Sequence, residues 1–181
     1  NGASGLVSTE VQGAIDELKA SITSFKMPKG AQFPVGPVDG DLFYRTDMSM
    51  PFQFDGTRNK WLSMSKQTLD WGASSADGKY LNIHGATATQ TGYLMPRKGT
   101  VVSVTVKIAS GNLTKPVELR KNNAPWSGTP SQYTFTPVAG TFSKTDLNID
   151  FEATDYIQAF CPSNAVAARD VVVMIEIAYR D

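Results

Sequence analysis

From Gln67 to the end of the chain, apolar and polar residues alternate at period two, and no stretch of helical spacing interrupts them. Successive side chains leave a strand on opposite sides, so this alternation is what a strand with one buried and one wet face requires. Val102, Val104, Val106 and Ile108 fall on one face, with Ser103, Thr105 and Lys107 on the other. Leu147, Ile149 and Phe151 alternate with Asn148, Asp150 and Glu152, while Val171, Val173, Ile175, Ile177 and Tyr179 make the longest face. Further strands are expected at Tyr80 to Ile83, Val117 to Lys121, Tyr133 to Thr136 and Tyr156 to Cys161. About eight antiparallel strands with Gly, Pro and Asn between them predict a β-sandwich head over residues 67–181, jelly-roll-like in type. Val172, Met174 and Ala178 put apolar groups on the second face of the last strand as well. That strand is therefore expected to be covered on one side by its own core and on the other by a neighbouring subunit.

Upstream, the pattern changes twice. Val11, Ile15, Leu18, Ile22 and Phe25 are spaced 4, 3, 4, 3, which is the seam of a heptad repeat within an N-terminal unit of residues 1–30. Thr9 followed by Gln12 has the form of a capping box, and Pro28 and Gly30 close the helix. The other faces are polar, so a single narrow stripe must stabilise a short helix that is marginal alone. Either it packs on its own head or it joins copies of itself. A stripe limited to the two seam positions favours a coiled coil, with the number of strands left open between two and three. Residues 31–66 hold Leu42-Phe43-Tyr44-Arg45, Phe52-Gln53-Phe54 and Lys60-Trp61-Leu62-Ser63-Met64, separated by turn signals at Asp39-Gly40, Thr46-Asp47 and Asp55-Gly56. They predict a small three-stranded meander that needs a partner surface, which neighbouring copies would supply in a trimer.

Composition narrows the function. Seventeen basic and seventeen acidic residues cancel, which removes the electrostatic attraction that non-specific nucleic-acid binding uses and gives no reason to expect an anionic membrane. No apolar run approaches the ~18 residues of a membrane span, and nothing at the N-terminus reads as a signal peptide. The chain opens without a methionine, as a fragment, a processed product or the end of something longer would. His84 is the one histidine and Cys161 the one cysteine, too little for a zinc site or a disulfide. His84 has no Gly-x-Ser-x-Gly elbow beside it and reads as a surface or interface residue, Cys161 as a small buried one sharing its strand face with Ile157 and Ala159. No glycine-rich phosphate loop is present. The chain is thus read as no enzyme, with no cofactor.

Two stretches resemble ligand sites. Asp146-Leu147-Asn148-Ile149-Asp150-Phe151-Glu152 matches the first half of a calcium loop, but Phe151 stands where the sharp turn needs glycine and Ile157 where a bidentate glutamate belongs. A strand explains the same spacing of Asp146, Asp150 and Glu152. The longest loop candidate runs from Asn122 to Tyr133. Its Trp126, flanked by Asn122, Asn123 and Ser127 and followed by Tyr133, is the kind of aromatic that stacks on a glycan or anchors a protein contact. The competing reading has Trp126 fold back to plug the end of the sandwich or pack at a trimer axis. A second, hydroxyl-rich loop spans Thr87 to Thr91. Trp61 and Trp71 sit in strand contexts and read as structural, and the sequon Asn112-Leu113-Thr114 reads as chance.

The opening GLVSTEVQGAIDEL resembles the segment with which phage tail-fibre and other virion fibre proteins begin a trimeric coiled coil. GDLFYRTDMSMPFQFDGTRNKWLS looks like the small β-unit that follows in such proteins, and GYLMPRKGTVVSVTVKIA is similar to the strand entry of trimeric jelly-roll heads. Heads of that kind occur in phage fibre tips, spore-surface glycoproteins and the tumour necrosis factor-like fold. The resemblance implies a homotrimer on the virion surface, attached at its N-terminal end to other virion proteins. It also implies a distal head able to bind a host-surface glycan or protein. The alternatives are a capsid decoration or head-fibre protein without a specific ligand, and a secreted or spore-surface trimeric ligand. An enzymatic head such as a glycan depolymerase is the outsider.

Overall fold

The computed structural model describes residues 11–24, 26–83, 92–126, 132–164 and 166–180, the side chains of residues 22–24 excepted. Thr9, Phe25, His84, the Thr87 to Thr91 loop and Ser127 lie outside the described residues, as does the side chain of Ile22.

The described residues are mainly β, with one short helix among them. Helix α1 (Val11–Ser24) leads to β1 (Lys29–Gly30), β2 (Leu42–Arg45), β3 (Met50–Asp55) and the long β4 (Lys60–Ala76). Beyond it come β5 (Lys79–Tyr80), β6 (Tyr93–Leu94), β7 (Gly99–Gly111), β8 (Val117–Lys121) and β9 (Ala124–Pro125). The last five are β10 (Thr134–Phe135), β11 (Thr141–Lys144), β12 (Ile149–Phe151), β13 (Tyr156–Cys161) and β14 (Ala168–Arg180).

Two sheets form. The larger runs β1-β2-β3-β4-β14-β7-β11, with β12 also on β7. The smaller runs β10-β8-β13-β5, with β6 on β13 and β9 on β8. Their facing sides share one core: Trp71, Val104, Val106, Val173 and Ile175 from the larger sheet meet Val117, Leu119, Ile157, Ala159 and Cys161 from the smaller. That is a sandwich arrangement, in which each strand contributes alternate residues to a common interior. At one edge the sheets are joined. Gly72 of β4 and Asn82 exchange two backbone hydrogen bonds of 2.9 Å, and the neighbouring Leu81 N–H donates to Ala159 O of β13 at 2.9 Å.

The faces read from β14 and β12 are those observed: Val171, Val173, Ile175, Ile177 and Tyr179 are buried, as are Leu147, Ile149 and Phe151. On β7 the structure corrects the reading. Between Glu176 and Ile177 the register along β7 jumps from Ser103 to Val101, so Val102 is an extra, bulged residue. A bulge turns the side chains beyond it to the other face. Val101 thus joins Val104, Val106 and Ile108 in the core, while Val102 packs on the opposite side against Leu62 and Ala178.

The meander has a core of its own, made of Phe43, Phe52, Phe54 and Trp61. Phe33, in the chain before β2, folds back over it, stacking on Trp61 with ring centroids 4.7 Å apart and planes 2° from parallel. The Arg45 guanidinium lies 4.6 Å above Phe33 and holds both oxygens of Asp47 at 2.9 Å. The cover expected from neighbouring copies is in part supplied by Phe33 of the same chain. Meander and head are continuous, since β4 runs unbroken through the boundary read between residues 66 and 67. Arg58, in the turn before β4, fastens them further. It pairs with Asp55 at 2.5 Å and donates to Leu147 O at 2.7 Å and Thr145 O at 3.0 Å. In the same turn, Gly56 N–H donates to Asp39 at 2.8 Å, and a Cβ on Gly56 would stand 2.9 Å from that of Asp39.

Candidate functional site

The candidate binding loop starts at the β8–β9 hairpin. It begins as a two-residue turn, with Asn122 and Asn123 at φ of 55° and 66°. Two consecutive left-handed residues make the tight turn that matches strand twist, and asparagine tolerates that conformation. Both residues are exposed, and both side chains bond to the segment from Asp155 to Gln158. Asn122 donates to Asp155 at 2.8 Å and accepts from Tyr156 N–H at 2.9 Å. Asn123 grips the wholly buried Gln158 twice, its N–H donating at 2.9 Å and its Oδ1 accepting at 2.8 Å.

Trp126 is 6% exposed and belongs to the main core. Its ring lies parallel to that of Tyr133 with centroids 5.7 Å apart and planes 7° from parallel, and Lys121 Nζ stands 5.5 Å from it. Of the two roles read for Trp126, plugging the sandwich end is the one its surroundings describe: an aromatic face already stacked and a buried edge leave no ring surface for a ligand. The structure therefore brings Trp126 and Tyr133 together, and directs Asn122 and Asn123 to a different neighbour.

The acidic strand is met by cations. Asp150 pairs with Lys60 at 2.7 Å, accepts from Thr100 Oγ1 at 2.6 Å and has Arg180 Nε at 3.6 Å; Glu152 pairs with Arg180. Burial raises the Asp150 carboxyl, but the bonds from Lys60 and Thr100 and the charges of Lys60 and Arg180 outweigh it and hold the group below its ordinary value. Asp146 is exposed, with Lys144 at 3.8 Å. No group of three or more metal-ligating side chains occurs among the described residues. The three carboxylates are thus each met by a cation, with Arg180 shared between Asp150 and Glu152, rather than converging on one point.

Remaining polar groups in the interior are structural. Lys115 is completely buried, yet its ammonium is bound by Asp77 and by Asn164 Oδ1 at 2.7 Å, while Asn164 N–H donates to the same Asp77 at 2.9 Å. A buried charge persists only when so paired. Cys161 shares its buried face with Ile157 and Ala159, and burial pushes its thiol up to about 11. Trp71 Nε1 is buried with no hydrogen-bond partner among the described residues, its ring edge-on to Tyr93 at 5.2 Å.

Two apolar surfaces read from the sequence are open among the described residues. On α1, the seam residues Val11, Ile15 and Leu18 are 79%, 50% and 49% exposed. On the outer face of the larger sheet, Val172 and Met174 are 45% and 44% exposed, whereas Ala178 is buried against Leu62 and Val102. Sequence periodicity located both; the bonds of the asparagines to Asp155, Tyr156 and Gln158 span more than thirty residues and had only the Asn-Asn pair as a signal. In comparison with known proteins, no family model and no curated protein matches this chain.

Proposed function

We propose that this chain is a phage virion fibre protein, a homotrimer held by its N-terminal helices and carrying a jelly-roll head as an adhesive or receptor-binding tip on the virion surface. The observation that carries the reading is the exposed seam of α1, an apolar stripe at heptad spacing with Val11, Ile15 and Leu18 left open in the single chain. A 14-residue helix with such a stripe gains little stability by itself, and parallel copies of it would bury the stripe along a common axis. Strand order supports the jelly-roll part. The head orders β4-β14-β7 with β11 and β12 in one sheet, and β5 and β6 with β13-β8-β10 in the other. The chain thus passes back and forth between the sheets, from β4 to β5 and β6, then β7, then β8 to β10, then β11 and β12, then β13, then β14, in the manner of two interlocked Greek keys. In this reading the N-terminal end joins other virion proteins, and the protein is no enzyme and uses neither cofactor, nucleic acid nor membrane.

A second reading, capsid decoration or a head fibre without a specific receptor, is favoured by Trp126: the aromatic best suited to a receptor is packed inside. Gold-labelled antibody against the head, applied to purified particles, separates the two. Label at fibre tips, with free head competing for adsorption to host cells, supports the tip. Label spread over the shell without competition supports decoration. Particles that carry no label refute both.

A further inference from the structure

The outer face of the larger sheet combines its two open apolar side chains with a charge pattern. Val172 and Met174 lie two apart on β14, so they share that face, and each has a charged residue directly beside it. Met174 pairs in register with Asp70 of β4, and Val172 with Lys107 of β7. Directly opposed residues in antiparallel strands project to the same side. The result is a strip three strands wide with apolar groups in the middle, an acid along one flank and a base along the other. Asp70 and Lys107 are both exposed, and neither forms an ion pair among the described residues. Lys107 has only a 3.2 Å bond to Thr141. Asp70 has the Tyr93 hydroxyl as a side-chain hydrogen-bond neighbour, and Lys79, Lys98, Arg169 and Asp170 also lack an ion pair among the described residues; what sets Asp70 and Lys107 apart is that they flank Met174 and Val172 on one face. Beside Met174 a hollow of ≈ 320 Å³ opens between Thr68, Ser103 and Thr105, room for a side chain from outside.

We propose that this face is the contact between copies of the chain, Asp70 of each copy meeting Lys107 of the next around a threefold axis that runs along β14. The proposal rests on the homotrimer reading and adds to it the surface and register of the head contact. Flanks of opposite charge suit a head-to-tail ring, because each subunit offers its acidic edge to one neighbour and its basic edge to the other. The flanks are two strand spacings apart, roughly 10 Å, and sheets pack face to face at a similar distance. Three such strips around an axis therefore bring each aspartate within reach of a long lysine side chain. Val172 and Met174 then line the axis. Glu176, next along β14, is drawn aside by Ser103 Oγ at 2.9 Å and by Lys66 at 4.0 Å, which takes its charge off the centre of the strip.

Charge exchange tests the proposal by sedimentation of the full chain at micromolar concentration and low salt. Wild-type protein is expected to sediment as three copies. Asp70→Lys alone and Lys107→Asp alone are expected to raise the concentration at half-assembly by on the order of tenfold, since three attractive contacts become repulsive. The doubly exchanged protein is expected to return close to wild type. Met174→Lys, which puts a charge in the middle of the strip, should weaken assembly independently of either flank. Far-UV circular dichroism of the variants should match wild type, because all three side chains are open in the single chain. A trimer indifferent to the single exchanges and to Met174→Lys overturns this contact while leaving the fibre reading in place. Assembly into pairs overturns the threefold geometry. A wild-type chain that stays single at every concentration overturns the contact and the homotrimer together.

Discussion

Replacing Trp126 by alanine separates packing from recognition. The indole is 6% exposed, lies flat against Tyr133 and has Lys121 close to its face. Removing a buried tryptophan costs about 3–5 kcal/mol, counting lost transfer energy and the cavity left behind. Trp126 sits at the end of the sandwich, where Tyr133 can partly collapse into the gap, so the lower figure of about 3 kcal/mol applies. For a chain of this size each kcal/mol moves Tm by about 2–4 °C, giving a fall of roughly 6–12 °C. Thermal melts followed by far-UV circular dichroism measure it, at one fixed protein concentration because assembly makes Tm concentration-dependent. Trp126→Phe, which keeps a ring against Tyr133, should recover more than half of the loss. A Tm within about 2 °C of wild type for Trp126→Ala would refute the packing role and return the indole to the list of contacts for a ligand.

Ile15→Asp combined with Leu18→Asp should open the helical seam, since charges cannot be buried there unpaired, while the head keeps its sheet signal; loss of all sheet signal would show that α1 belongs to the head's core. Stability should drain on the acid side. The Asp150 carboxyl titrates lower in the folded chain than its unfolded value of about 3.9, so its contribution is complete above that pH and is lost as pH falls through it towards the folded value. Asp150→Asn should therefore lower the urea midpoint at pH 7 and narrow the difference from wild type by pH 3; parallel curves would contradict the pairing with Lys60. Cys161, with its thiol pushed up to about 11 by burial, should resist thiol reagents at pH 8 until the head is unfolded. Rapid labelling of native protein would show that β13 opens.

Where one residue's burial follows from its neighbours in sequence, the structure was legible. The alternation of Val171, Val173, Ile175, Ile177 and Tyr179 states a strand with one buried face, and β8 and β13 have the bounds read from their patterns. Features made by distant pairing were not. Val101 and Val102 are adjacent valines, and only the register with β14 decides which of them enters the core. The boundary read between residues 66 and 67 falls in Ser65 to Thr68, which has no apolar residue, yet β14 pairs with β4 through that stretch, from Lys66 onward, and carries the strand across it. For Trp126 the polar flanks left an exposed and a packed reading open, and the stacking partner that decides between them, Tyr133, comes back from the far side of the loop. Asn122 and Asn123 were read as amides flanking a binding aromatic, because their bonds to Asp155 and Gln158 join residues more than thirty positions apart.

The central claim is that three copies assemble through α1 and the head. Sedimentation equilibrium of the wild-type chain over a range of micromolar concentrations tests it most directly. The account predicts a single species of three times 19.6 kDa that dissociates when Ile15 and Leu18 are both replaced by Asp. A mass of 19.6 kDa across the whole range would contradict it.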